Sequence, residues 1–185
     1  MSPAELGADA PVLTTARLSL REIRAADAEF VLGLLNGTDY KRYIGDRGLR
    51  SIHDAEVYIE QRIQPAYRDD GFGMWLVSDA ADHPVGICGL VNRDYLDDVD
   101  LGYAFLPEVT GRGYATEAAR GVLEYAHHRL RLERVVAITA LENPPSIKVL
   151  HKLGYRFSRL VDFPGDSDGA RLFEKPVQET LIEST

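Results

Sequence analysis

The sequence predicts one mixed α/β domain, a mainly antiparallel sheet with helices on both faces. Three observations carry this. The chain has 185 residues, enough for one domain with its own core. Period-two runs and helical runs follow one another in the order β-α-α-β-β-β-α-β-α-β-β. The glycine-rich joint Gly111-Arg112-Gly113 separates a strand-like run from the longest helical run, as a right-handed βαβ crossover requires. The domain is expected over residues 12–176, between a flexible start (1–11) and a C-terminal tail (177–185).

The elements follow in order. Leu13–Ile23 alternates, with Leu18 and Leu20 set against Arg17, Ser19 and Arg21, and reads as one strand. Asp27 is a cap for a helix over Ala28–Leu35, stopped by Asn36-Gly37. Tyr40–Leu49 has two glycines and no sustained period, so it reads as a loop. Ser51 and Asp54 form a capping-box-like start to a helix with Ile52, Ala55, Ile59 and Ile63 on one face. Pro65 should kink or end it. Phe72–Ser78, Val85–Val91 and Val99–Leu106, joined by short polar links, form a meander. Ala115–Leu130 is the longest helix and shows a small-residue face of Ala115, Ala118, Ala119, Val122 and Ala126. Arg134–Thr139 is a β-branched strand. Pro144–Leu153 is a helix with Pro at its first position and Gly154 past its end. Tyr155–Val161 is a strand, Pro164–Gly169 a turn and Arg171–Glu174 a last short strand.

Composition excludes several classes. Hydrophobic residues make up 45% and charged residues 27%, which argues against disorder. A net charge of −8 disfavours broad nucleic-acid binding, which needs basic surface. Cys88 is the single cysteine, so no internal disulfide can form, and its apolar neighbours make it a small buried hydrophobe. The start lacks the basic and apolar segments of a secretory signal. No apolar stretch approaches the ~20 residues that span a bilayer. A soluble cytoplasmic protein is expected.

The chain is organised around P-E-V-T-G-R-G-Y-A-T-E-A-A, residues 107–119. Glycine lets the backbone turn tightly and approach a ligand. The first turn of a helix has N–H groups without partners and a positive dipole end. Such a joint is either an ordinary strand-to-helix turn or an anion site, and Arg112 adds a fork of donors. The P-loop pattern is absent. A dinucleotide fingerprint would need Gly where Thr116 stands.

The stretch resembles the acyl-CoA loop of the GNAT N-acetyltransferases, whose motif is Q/R-x-x-G-x-G/A. Here it reads Thr110-Gly111-Arg112-Gly113-Tyr114-Ala115, with Thr in place of Gln or Arg. The extended form G-R-G-Y-A-T-E-A is similar to the RimJ/RimL-like branch, which acetylates protein N-termini and small amines. The likeness runs from about Thr15 to Lys175. It implies a GNAT-like fold in which Val99–Leu106 and Arg134–Thr139 splay apart to admit acetyl-CoA. It also implies cofactor contacts from Gly111, Arg112, Gly113, Tyr114 and Ala115, and from the backbone of Phe105 and Leu106, one N–H of which meets the thioester oxygen. Asn143, in E-N-P-P-S-I-K-V-L-H-K-L-G-Y, resembles the family's pantetheine-binding Asn; its other reading is a helix cap. The implied partners are a small-molecule amine or a peptide N-terminus, with the chain a monomer or homodimer.

Acetyl transfer to an amine of pKa roughly 10 needs a proton removed. Asp100, alone in an apolar strand and on the face of Gly102 and Ala104, is the candidate base; otherwise it closes the acidic turn Asp97-Asp98-Val99-Asp100. Glu117, in the first turn of a helix, suits the dipole there. Many GNATs place a tyrosine seven residues after the Asn to protonate the thiolate, and here that position is Leu150. RimL-like members use a serine near the start of this helix, and Ser146 matches; its other reading is a bond to its own backbone. The five histidines are scattered, so direct transfer without an acyl-enzyme and without a metal is expected. Two rivals remain: a non-catalytic acyl-CoA-binding protein on the same fold, and a dinucleotide-binding module.

Overall fold

Runs of alternating or β-branched residues become strands, and those between Leu18 and Ala140 bury or partly bury their apolar residues, while Arg156–Phe163 leaves Phe157 and Leu160 exposed. The computed structural model of the chain describes residues 10–163 and 166–175. It has β1 (Leu13–Thr14), β2 (Leu18–Glu22), α1 (Ala28–Asn36), α2 (Thr38–Tyr43), α3 (Ile52–Tyr58) and α4 (Gln64–Asp69). Then come β3 (Met74–Asp79), β4 (Pro84–Val91), β5 (Val99–Phe105), α5 (Tyr114–His128), β6 (Val135–Ala140), α6 (Pro144–Lys152), β7 (Arg156–Phe163) and β8 (Asp166–Glu174). The sheet order is β1-β2-β3-β4-β5-β6-β8-β7. Every neighbouring pair is antiparallel except β5 and β6.

Helices cover both faces, as expected. On one face α5 and α6 pack through Ala118, Ala119, Val122 and Leu150 onto Trp75, Leu90 and Leu101. On the other, α1 and α3 pack through Val31, Leu35 and Ala55 onto Leu76 and Ile87. Ala118, Ala119, Val122 and Ala126 of the small-residue face of α5 are fully buried, and Ala115 at its start partly so, which lets the helix approach the sheet closely.

Several boundaries differ from expectation. The first strand is two, because the chain turns at 15–17 and Leu13 pairs with Leu20. Asp27 does not cap α1 with its side chain. Its carboxylate instead accepts from the Arg24 N–H and from Arg21. Residues 40–43 of the expected loop belong to the helix α2, while Gly45 and Gly48 keep positive φ in an irregular remainder. The second helix is interrupted before Pro65 but continues past it. A π-helical turn, Ile59–Ile63, absorbs it and α4 continues, since the wider turn shifts the bond that Pro cannot donate. Ile52 is half exposed, but Ala55, Ile59 and Ile63 are buried as their spacing implies. The last strand begins at Asp166, inside the expected turn, and Phe163 pairs with Asp166 across a tight hairpin. Pro164, Gly165 and the expected tail lie outside the described residues, as do residues 1–9 of the expected flexible start.

Candidate active site

β5 and β6 run parallel for only two pairs, Val99–Val135 and Asp100–Val136. Asp100 stands where pairing stops. Its Oδ1 accepts from the Ile138 N–H at 3.0 Å, so a side chain takes the next β6 donor in place of the β5 backbone. Its Oδ2 accepts from Arg93 Nε at 2.7 Å. Beyond this point β6 turns to β8, pairing Ala137 with Phe173 and Ala140 with Ala170. The far ends of β5 and β6 therefore part.

This corrects the expected geometry of Asp100. The face it shares with Gly102 and Ala104 was expected to have room for a substrate; the side chain is 1% exposed and both oxygens are occupied. Burial pushes its carboxyl up to about 6, against the Arg93 guanidinium and the Ile138 N–H, which pull it down. An acceptor amine has no direct route to it.

The glycine turn lies at the parted end. Gly111 and Gly113 have φ of +82° and +81°, which β-carbon-bearing residues rarely adopt. The first helical bond of α5 runs from the Glu117 N–H to the Gly113 carbonyl. The N–H groups of Tyr114, Ala115 and Thr116 precede it and have no helical acceptor. The Arg112 N–H is committed to the Val109 carbonyl at 3.2 Å, so this residue offers only its exposed side chain. The Leu106 N–H likewise donates to the Val85 carbonyl at 2.9 Å. Strand alternation then turns the Phe105 amide toward β6. Of these two N–H groups, that of Leu106 is therefore taken up within the sheet, while that of Phe105 points away from β4.

A tie from the first hairpin braces this turn. Glu117 accepts from the Thr15 hydroxyl at 2.7 Å, the Arg17 N–H at 2.9 Å and Arg17 Nε at 2.7 Å. Burial opposes its charge, but these donors and the Arg17 charge hold its pKa below the usual carboxylate range. Arg17 also donates to the Arg112 carbonyl at 3.1 Å and lies 4.8 Å from the centre of the Tyr114 ring. The Arg17 contact was invisible in the sequence, because Arg17 and Glu117 are 100 residues apart.

Across the gap, Asn143 Oδ1 accepts from the Ser146 N–H at 3.2 Å, capping α6. The Ser146 hydroxyl is not turned onto its own backbone. It bonds the Tyr103 hydroxyl at 2.9 Å, and Tyr103 also donates to the Ser146 carbonyl at 3.1 Å. Tyr103 had been placed in the strand without a role. Burial pushes its phenol well above the ordinary range, against the hydrogen bond from Ser146. Cys88, opposite Tyr103 on β4, is fully buried and its thiol is pushed far up by desolvation.

A parted parallel strand pair, with a glycine turn at a helix start beside it, is the architecture that the motif implied. The family described as the acetyltransferase (GNAT) domain matches residues 17–156. The chain belongs to the GNAT acetyltransferase family. It is an acyltransferase, and the family's acetyl donor is acetyl-CoA. The uncharacterized N-acetyltransferase YnaD of Bacillus subtilis is 29% identical over 146 residues, covering 78% of this chain and 82% of that protein. An acetyltransferase structure from Agrobacterium tumefaciens superposes with a TM-score of 0.76 at 21% identity, over 91% of this chain and 95% of that one. The spermidine N-acetyltransferase of Vibrio cholerae, in complex with CoA and spermine, superposes with a TM-score of 0.69 at 20% identity, over 85% and 94%. These two structures share the fold. Membership takes away the basis for a dinucleotide-binding module. Among the described residues no helix is long and apolar enough to cross a membrane.

Proposed function

We propose that this GNAT acetyltransferase moves acetyl directly from acetyl-CoA to a primary amine of a small molecule or a protein N-terminus, in the manner of the RimJ/RimL-like branch. The observation that carries it is the glycine turn, whose unpartnered N–H groups stand at the open end of the β5–β6 gap. The finer placement is supported by the run G-R-G-Y-A-T-E-A. The cofactor's diphosphate suits the N–H groups of Gly113–Thr116, with Arg112 beside them. Gly111 keeps the turn open, and Tyr114 and Ala115 begin the helix that presents the donors. Asn143 offers a remaining lone pair toward the pantetheine arm, and the Phe105 N–H stands where an oxyanion would form.

The bond that forms is nitrogen to acetyl carbon, and the bond that breaks is carbon to sulfur. The Tyr103–Ser146 hydroxyl pair delivers a proton to the departing thiolate, filling the position left by Leu150. Asp100 acts by position, holding β5 and β6 at their parting point. The acceptor ammonium gives its first proton to water before attack, so the acid limb of the rate profile follows the acceptor's own pKa, and the second, lost from nitrogen as the amide forms, replaces the proton that the hydroxyl pair gives to sulfur.

Thiol release from acetyl-CoA across a panel of amines and N-terminal peptides tests the reading. Release with at least one class is expected. Tight CoA binding with no release from any acceptor would select the non-catalytic acyl-CoA-binding alternative.

A further inference from the structure

A cavity of about 910 Å³ lies between α2, the turn into α6, the outer face of α6 and β8. Four permanent cations line it: Arg42, Lys148, Lys152 and Arg171. Glu142 is the one carboxylate among its lining residues. This is an unusual concentration of positive charge in a chain whose net charge is −8. Among the described residues, no carboxylate forms an ion pair with any of the four.

Arg171 is the deepest of them. Its Nε is buried and has no hydrogen-bond partner among the described residues. Directly across on β6 stands Thr139, 6% exposed, whose hydroxyl also has none. Buried polar atoms are nearly always partnered, so a polar partner, water or ligand, is due at these two facing positions, of which Arg171 lines the cavity. A guanidinium fork matches a carboxylate in shape and charge.

The cavity's position links it to the reaction. Asn143, assigned above to the pantetheine arm, lines it from one side. Arg42 lines it from α2, on the other side. We propose that this cavity holds a carboxylate of the acceptor, so that the amine acetylated belongs to an acidic peptide or amino acid and not to a polyamine. This deepens the transferase reading and rests on it. A polycation would meet four like charges here, which discriminates against it as strongly as the carboxylate is favoured.

The test compares an Ala-Glu-Glu peptide, an Ala-Lys-Lys peptide and spermidine in the thiol-release assay. The acidic peptide is expected to have the highest kcat/KM. Arg171→Gln, and separately the exposed Lys148→Gln, should each raise its KM by about tenfold, the scale of one charge-assisted bond. CoA affinity, measured by calorimetry, should stay unchanged. Faster acetylation of spermidine or Ala-Lys-Lys would overturn the proposal. So would weakened CoA binding with equal losses on every acceptor, which would assign the cavity to a cofactor phosphate. If nothing is acetylated, the transferase reading fails, and titration with N-acetyl-Ala-Glu-Glu decides this one. Binding that Arg171→Gln abolishes leaves the carboxylate site standing; no binding removes it.

Discussion

Asp100 joins burial, charge and strand geometry in one side chain. Its folded pKa of about 6 lies above the ordinary value of 3.8. Between these values the folded protein binds more protons than the unfolded one, so this group's stabilising contribution is complete below about pH 4 and lost as pH rises through about 6. The melting temperature of the wild type minus that of Asp100→Asn should therefore fall as pH rises across that window. A difference that grows instead would contradict the assignment. In the rate profile, Asp100→Asn should lower kcat yet leave the acid limb in place, because the acceptor's own proton sets it. A vanished acid limb would restore Asp100 as the base. Tyr103 and Ser146 share one proton path, so Tyr103→Phe, Ser146→Ala and the double variant should lose similar activity. About tenfold is expected, below the ~10²–10⁴ typical of acid–base assistance, since a thiolate of pKa roughly 8.5 leaves readily. Additive losses would show two separate roles.

At the scale of elements, two ties hold the site's frame. The first joins the β1–β2 hairpin to the start of α5 through Glu117. Glu117→Gln keeps the size and weakens three charge-assisted bonds, so the turn at Gly111–Gly113 should loosen. CoA affinity should drop about tenfold while the fold persists, which calorimetry and far-ultraviolet dichroism together report. Unchanged affinity would make the tie purely structural. Gly113→Val should weaken CoA binding further, because φ of +81° strains any β-branched residue. The second tie is Tyr67 on α4. Its hydroxyl accepts from the Ile23 N–H at 3.0 Å and donates to the Met74 carbonyl, joining the ends of β2 and β3. Tyr67→Phe orphans a buried N–H, at a cost of about 1–3 kcal/mol. A fall in melting temperature of several degrees is expected, with CoA affinity intact.

Over the whole molecule, the sheet is two antiparallel blocks, β1–β5 and β6–β8, bridged by two residue pairs and one carboxylate. The gap between the blocks is the proposed reaction site, and a core packs on each face of the sheet. Amide exchange should reflect this. Amides of β3 and β4, in the middle of a block, should exchange slowly throughout. The Phe105 and Tyr103 amides should be faster, and should slow when CoA binds. Equal protection along all of β5 without CoA would mean that the strands do not part in solution. Cys88 lies inside the larger block, fully buried. It should resist alkylation until the protein unfolds, and labelling in native buffer would show an opening that this packing does not predict.

The sequence by itself determined what depends on neighbours along the chain. Alternation located β3, β4 and β5; the Ser51–Asp54 capping box located the start of α3; and Gly111-Arg112-Gly113 before a long amphipathic run located the glycine turn at the start of α5. These signals are local because backbone conformation and first-turn donors are local. What only the tertiary structure decided depends on residues far apart. Arg17 reaches the glycine turn through Glu117 across 100 positions. Tyr103 meets Ser146 across 43. Asp100 read as a lone carboxylate in an apolar strand, and the same pattern fits a catalytic base or a buried tie. Its partners, Arg93 and the Ile138 N–H, could not be read locally, because they follow from where β6 parts from β5. Arg171 looked like one residue of a short last strand. It became the floor of a cationic cavity because β8 inserts between β6 and β7, a placement that no local pattern encodes.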